Sequence, residues 1–212
     1  MAKAMAKSLG YTYVDSGAMY RAVTLFAIQN GFIQNGVVNK ESLIKSLPSI
    51  FIDFILIEGK NSTRLNDEVV ENEIRGLEVS SLVSQVSRIA EVRKKLREIQ
   101  QDLAKRKGVV MDGRDIGSAV LPDAELKIFM TADKEIRAKR RYDELTAKGE
   151  PTSLEEIKEN IRLRDEIDTT RKENPLIQTE DARLLDNSNL TQEEQLKIAL
   201  GWANTAIQQK NP

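Results

Sequence analysis

Tyr11–Ala22, YTYVDSGAMYRA, sets the reading of the whole chain. Tyr11–Val14 is a short aromatic and β-branched run, the pattern of a strand. Asp15-Ser16-Gly17 then turns the chain, and Ser16 opens a helix whose apolar stripe is Met19, Ala22, Val23 and Phe26, ended by Asn30-Gly31. A strand running through a polar turn into a helix is the unit of an α/β protein. The same unit recurs downstream, where Val109–Met111 reads as a buried strand and Asp112–Gly117 (DGRDIG) as the turn after it. In open α/β sheets ligands bind beyond the carboxyl ends of the strands, which is where both turns fall.

Working outward, Lys3–Leu9 suits a helix stopped by Gly10. Ile50–Ile57 and Thr63–Val70 read as strands, with Asn66-Asp67 a turn between pairing segments. This β-rich stretch predicts a small inserted subdomain over about 45–88. Glu71–Ser87 is expected to be helical. Ile89–Lys105 is a further helix, with Ile89, Val92, Leu96, Ile99 and Leu103 on one face. Glu125–Met130 and Leu184–Leu185 are strand candidates. Asp133 can cap a helix carrying Arg137, Arg140 and Arg141, which Gly149 stops. Ser153 with Glu156, and Thr191 with Glu194, form capping-box patterns for two more helices. Short strands alternating with helices argue for a parallel sheet with helices on both faces.

The totals bound the chemistry. A chain of 212 residues fits one domain with a small insertion. Acidic residues number 33 and basic residues 32, mixed along the chain, so nothing points to nucleic acid. There is no cysteine and no histidine, which excludes thiolate chemistry, imidazole triads and the common zinc sites. Acid–base work would fall to Asp, Glu, Lys or Tyr. No apolar run approaches the roughly 20 residues of a membrane span, and MAKAMAKSLG lacks an apolar signal core, so a cytoplasmic, membrane-free protein is expected.

Three segments pair arginine with aspartate. In RDEIDTTR, Arg164, Asp168 and Arg171 are spaced i, i+4 and i+7, continuing the stripe of Leu154, Ile157 and Ile161 on one helix face. A face that changes from apolar to charged suits a bound ligand, because buried charge is costly unless paired. It equally suits an exposed helix end with ordinary ion pairs. Gly113 and Gly117 allow a tight turn baring Arg114 and Asp115, either for a ligand or for a solvent salt bridge. Asp15-Ser16-Gly17 with Arg21 can hold an anion at a helix start, or Ser16 can be a plain N-cap and Arg21 a surface residue.

Taken together these segments resemble the bacterial cytidylate kinases, a nucleoside monophosphate kinase family. DSGAMYRA, the NEIR segment (Asn72–Arg75), Ser84–Val86 with Val92–Arg93, DGRDIG and RDEIDTTR occur in the family's order and approximate spacing, as do PDAELKIFMTA and RYDEL. The resemblance implies a P-loop NTPase-like parallel sheet, an inserted subdomain that closes over the monophosphate and a helical lid over about 135–165. It implies transfer of a phosphoryl group from ATP, with Mg²⁺, to CMP and also dCMP, giving CDP and ADP in pyrimidine nucleotide metabolism, by a monomer. It assigns CMP to Asp15, Ser16, Tyr20, Arg21, Ser84, Arg93, Arg114, Asp115, Arg164, Asp168 and Arg171. Within that set Ser84, Arg93 and Asp115 read the base, Arg164 and Asp168 the ribose, and Arg171 a phosphate. Arg137, Arg140 and Arg141, with Arg171, are the implied catalytic arginines facing the transferred phosphates. No metal ligand is assigned.

One departure is plain. No G-x-x-x-x-G-K-[ST] pattern occurs in the 212 residues, and MAKAMAKSLG aligns with the residues just after that loop in the family. The chain is therefore expected to lack the first strand and phosphate loop and, as written, to be a weak or inactive kinase. The alternative expectation is a non-catalytic CMP-binding remnant.

Overall fold

The computed structural model describes residues 1–57, 60–147, 149 and 151–210. The parts of the expected insert and lid at 58–59, 148 and 150 lie outside the described residues. Contacts gather the chain into two compact units. One holds Ala2 and residues 6–113, and the other holds Met1, residues 3–5 and residues 114–212.

The first unit begins as the sequence predicts. Helix α1 (Ala2–Leu9) leads, through Gly10 in the left-handed region, to strand β1 (Thr12–Asp15) and helix α2 (Ser16–Gln29). Met19, Ala22 and Val23 of α2 are wholly buried and Phe26 nearly so. They form one core with Val79, Val86, Ile89, Val92 and Leu96. Three large side chains, Met19, Val23 and Phe26, at about 1.5–3 kcal/mol each, are enough to fix the helix against its neighbours. Strand β1 pairs in parallel with the strand at Val109–Asp112, and the register sets Asp15 opposite Asp112 at the carboxyl ends.

Between those strands lie elements the sequence reading divides differently. Asn35 and Gly36, both with positive φ, turn a small hairpin of β2 (Ile33–Gln34) and β3 (Val37–Val38). This is the Asn-Gly turn that matches strand twist. Asn39 caps α3 (Lys40–Ser46) by accepting from the Ser42 N–H. Strands β4 (Ile52–Ile57), β5 (Lys60–Leu65) and β6 (Glu68–Val69) form an antiparallel sheet, with Asn66 and Asp67 both at positive φ between β5 and β6. The expected helix over Glu71–Ser87 is broken. A 3₁₀ turn spans Glu73–Arg75, and α4 runs over Leu77–Val86. Gly76 between them is extended at ψ 159°, where helix cannot continue. Helix α5 (Ala90–Ala104) and strand β7 (Val109–Asp112) complete the unit.

In the second unit a π-helical turn at Ile116–Val120 follows the DGRDIG segment. Strands β8 (Ile128–Thr131) and β9 (Arg183–Asp186) pair in parallel across α6 (Lys134–Ala147) and α7 (Leu154–Thr170). β8 starts later than expected. Asp133 caps α6, its Oδ1 accepting from the Glu135 and Ile136 N–H groups. Ser153 and Glu156 form the predicted capping box on α7. Thr191 and Glu194 do the same for α8 (Gln192–Lys210). Two parallel pairs, each bridged through helices, make this the α/β protein that the sequence predicts. Among the described residues no helix is long and apolar enough to cross a membrane.

Candidate functional site

In the first unit the candidate residues gather on α2 and on the helices packed against it. The N-cap of α2 is Asp15, not Ser16. Asp15 Oδ1 accepts from the Ala18 N–H at 2.9 Å, and Ser16 is the first helical residue, buried. Gly17 leaves room for this, since a Cβ there would lie 3.1 Å from Asp15 Oδ1. One turn on, Arg21 donates from Nη1 to Ser80 Oγ at 2.7 Å and to the Ile74 carbonyl at 3.3 Å. Tyr20 packs against the core with the guanidinium of Arg93 over its ring, 5.7 Å from the centroid. Arg93 is buried and donates from Nη1 to the Ser87 carbonyl at 3.3 Å. Ser84, on α4, is half-buried, and its carbonyl accepts from Ser87 Oγ.

Several neighbours carry no assignment in the sequence reading. Arg75 Nη2 lies 2.8 Å from Asp15 Oδ2 and 3.0 Å from Glu71 Oε1. Glu71 Oε2 in turn accepts from the N–H and the hydroxyl of the buried Thr63. Asn61 Nδ2 donates to the Tyr13 carbonyl at 2.7 Å. The Tyr13 hydroxyl donates to Asp112 Oδ2 at 3.0 Å. Loss of hydration, then the negative charge of the facing Asp15, push the Asp112 carboxyl up to about 6. Desolvation, then Asp112, likewise hold the Tyr13 phenol above its ordinary range. Arg75 had a visible signal, since it closes the NEIR segment. Asp112 had one too, as the first residue of DGRDIG.

In the second unit Arg114, Asp115, Arg164, Asp168 and Arg171 come together. Arg171 caps the C-terminal end of α7 and reaches two buried carboxylates, Asp115 Oδ1 and Asp168 Oδ1, each at 3.5 Å. Its Nε donates to the Asn174 carbonyl at 2.7 Å. Arg114 Nε stands 3.0 Å from Asp168 Oδ2, in ion-pair range but off the line of a good hydrogen bond. Arg164 is depressed below the ordinary arginine value, first by lost hydration and next by repulsion from Arg114. Three guanidiniums thus crowd two carboxylates, and the surplus charge suits an anion.

The other arginines are placed differently. Arg137 holds Asp165 from both terminal nitrogens, at 3.1 and 2.7 Å, which lowers the Asp165 carboxyl. Arg140 is bound to Asn187 Oδ1, the Asn187 carbonyl and the Ser188 carbonyl, at 3.0, 2.8 and 3.2 Å. Arg141 pairs with Glu144 one turn along α6 and adds to the repulsion on Arg164. Among the described residues no group of three or more acidic side chains could hold a metal ion by itself.

Parallel strand pairs carry helices here, and arginine–carboxylate clusters follow β1 and β7, an arrangement consistent with the nucleoside monophosphate kinase class of α/β proteins. The chain belongs to the cytidylate kinase family, whose model matches residues 1–205. It is 55% identical over 209 residues to the cytidylate kinase of Parabacteroides distasonis, covering 98% of this chain and 91% of that protein. It is 52% identical to that of Flavobacterium psychrophilum, covering 96% and 91%. The cytidylate kinase of Porphyromonas gingivalis is 49% identical, covering 90% and 84%.

Proposed function

We propose that this chain is a CMP-binding phosphotransferase that moves the terminal phosphoryl group of ATP to CMP, giving CDP and ADP. The observation that carries the proposal is the cluster of Arg114, Arg164 and Arg171 around Asp115 and Asp168, a half-buried site with more positive than negative charge. The names of the similar proteins support the same reading. We assign the base to Asp115, Arg93 and Ser84, and the ribose to Asp168 and Arg164. The phosphate falls to Arg171, Arg114, Arg21 and Ser16, with Asp15 and Tyr20 beside them.

The chemistry fits those residue types. Cytosine offers an amino donor at N4 and acceptors at N3 and O2. A carboxylate accepts from the first, and a guanidinium donates to the others. Uracil reverses that pattern at two positions and would leave buried groups unmet, at about 1–3 kcal/mol each. A carboxylate also suits the ribose diol. Phosphoryl transfer asks the protein for positioning and charge stabilisation rather than covalent work, so a chain without histidine can perform it.

Mg²⁺ is proposed to enter this scheme with ATP, the phosphoryl donor. The helical segment over about 135–165 is proposed as the lid, with Arg137, Arg140 and Arg141 turned to the ATP phosphates once their present partners are released. The residues over about 45–88 are proposed as the monophosphate-binding insert. The chain is proposed to act as a monomer in the cytoplasm.

The 212 residues hold no glycine-rich phosphate loop. A coupled ADP-release assay with CMP, dCMP, UMP and AMP tests the assignment. CMP should be turned over fastest by a chain that also carries the loop. Faster turnover of UMP or AMP would reject it.

A further inference from the structure

A helix start that carries a carboxylate as its cap should repel a phosphate. Asp15 is that cap on α2, and its register partner across the strands is a second carboxylate, Asp112. The monophosphate is assigned to this same turn, through Ser16 and Arg21. The two requirements conflict unless the charge on Asp15 is cancelled. The side chain that cancels it is Arg75. Its Nη2 sits 2.8 Å from Asp15 Oδ2, on the oxygen that the Ala18 N–H does not use. Arg75 is itself held from behind. Its Nε and Nη2 donate to Glu71 Oε1, and Glu71 Oε2 is fixed by the backbone and hydroxyl of buried Thr63. The result is a rigid line of bonds from strand β5 to the first turn of α2.

We propose that Arg75 is a positioning residue for the CMP monophosphate: it neutralises Asp15 and locks it as the cap, so that the start of α2 can accept an anion. The proposal rests on the CMP reading above. Arg75 needs no contact with the nucleotide. Its work is electrostatic and acts through Asp15, which separates it from a residue that only stabilises the fold.

The test is calorimetric titration of CMP and of cytidine, which lacks the phosphate, into the full chain and its variants. Arg75→Gln should weaken CMP by about fivefold or more, and cytidine by less than about twofold, the scale of one lost partly exposed charge contact at a helix start. Arg75→Lys should regain most of the loss. In Asp15→Asn/Arg75→Gln the repelling charge is gone while asparagine still caps, so CMP affinity should recover above that of Arg75→Gln. Equal losses for CMP and cytidine, or no recovery in the double variant, would overturn the proposal. Should Arg75→Gln fail to fold, Glu71→Gln carries the same comparison, weakening CMP but not cytidine. The Ala18 amide resonance, read without nucleotide, should shift in Arg75→Gln if the cap is loosened, and an unmoved resonance counts against the clamp. An unmodified chain that binds CMP no better than cytidine would instead refute the site reading, whatever the Ala18 amide shows.

Discussion

Arg137 and Asp165 face one another across α6 and α7 in a two-point contact, Nη2 to Oδ2 at 2.7 Å and Nη1 to Oδ1 at 3.1 Å. Both side chains are about 30% exposed, so the pair is better sheltered than an ordinary surface bridge. Its orientation is fixed by the planar fork of the guanidinium. It joins the two helices that the lid proposal needs to move together, and it occupies an arginine that the same proposal turns to the ATP phosphates.

Asp165→Asn should therefore lower the melting temperature, by an amount equivalent to about 1 kcal/mol. The effect has a pH signature. The Arg137 bonds hold the Asp165 carboxyl below its ordinary value. Its stabilising contribution is then complete above the unfolded value of about 4 and is lost as pH falls through the lower folded value. Thermal melts of the two proteins should differ at pH 7 and converge towards pH 2. A constant difference across that range would mean that the charge of Asp165 is not what stabilises.

Asp112 gives the opposite sign. Its carboxyl is pushed up to about 6 by lost hydration and by Asp15. A raised acid favours folding when protonated, so its penalty is absent below about pH 4, grows through pH 6 and is full above it. Asp112→Asn keeps an acceptor for the Tyr13 hydroxyl and removes the charge. It should stabilise the protein at pH 8 by no more than about 1 kcal/mol, because the residue keeps contact with water that screens the repulsion. That gain should vanish by pH 4. A variant equally stable at both pH values would show that Asp15 and Asp112 do not repel.

Gly17 offers a test of the cap. Alanine inside a helix normally gains about 0.5–1 kcal/mol over glycine. Here the new methyl would lie 3.1 Å from Asp15 Oδ1, an oxygen already held by Ala18, on a carboxylate fixed by Arg75. Gly17→Ala should lower the melting temperature instead of raising it. A rise of several degrees would show that Asp15 can move aside.

Much of this is legible in the residues. The i, i+4, i+7 spacing of Arg164, Asp168 and Arg171 foretells a shared face, and Arg171 and Asp168 do meet. The stripe Met19, Ala22, Val23, Phe26 foretells the buried face of α2. The β2–β3 turn carries a standard Asn-Gly signal that two-residue strands make easy to pass over. The break at Gly76 is harder to see. Apolar periodicity runs across it, and only the extended backbone there, with Glu73 O only 3.2 Å from where a Cβ would stand, ends the helix. The pairing of Arg75 with Asp15 is hidden for a different reason. Asp15 and Arg75 are 60 positions apart, and charge pairs at that distance leave no local pattern. Serine is a favoured cap, which points to Ser16, but the aspartate one step earlier is the residue that reaches the Ala18 N–H.

Within the proposed base-reading set, Asp115 is the residue that would tell cytosine from uracil at the 4-position. It is buried and lies 3.5 Å from Arg171. Asp115→Ala should cost CMP one charge-assisted bond, about 1.5–3 kcal/mol. The loss for UMP should be smaller, since uracil has no 4-amino donor. Equal losses for both nucleotides would remove Asp115 from that role.

The most direct measurement is calorimetric titration of Arg171→Ala and the unmodified chain with CMP and with cytidine at one ionic strength. If the arginine–carboxylate cluster grips a nucleoside monophosphate, the substitution should weaken CMP by about tenfold or more while changing cytidine several-fold less. The same loss for both ligands, or none for either, would contradict the assignment.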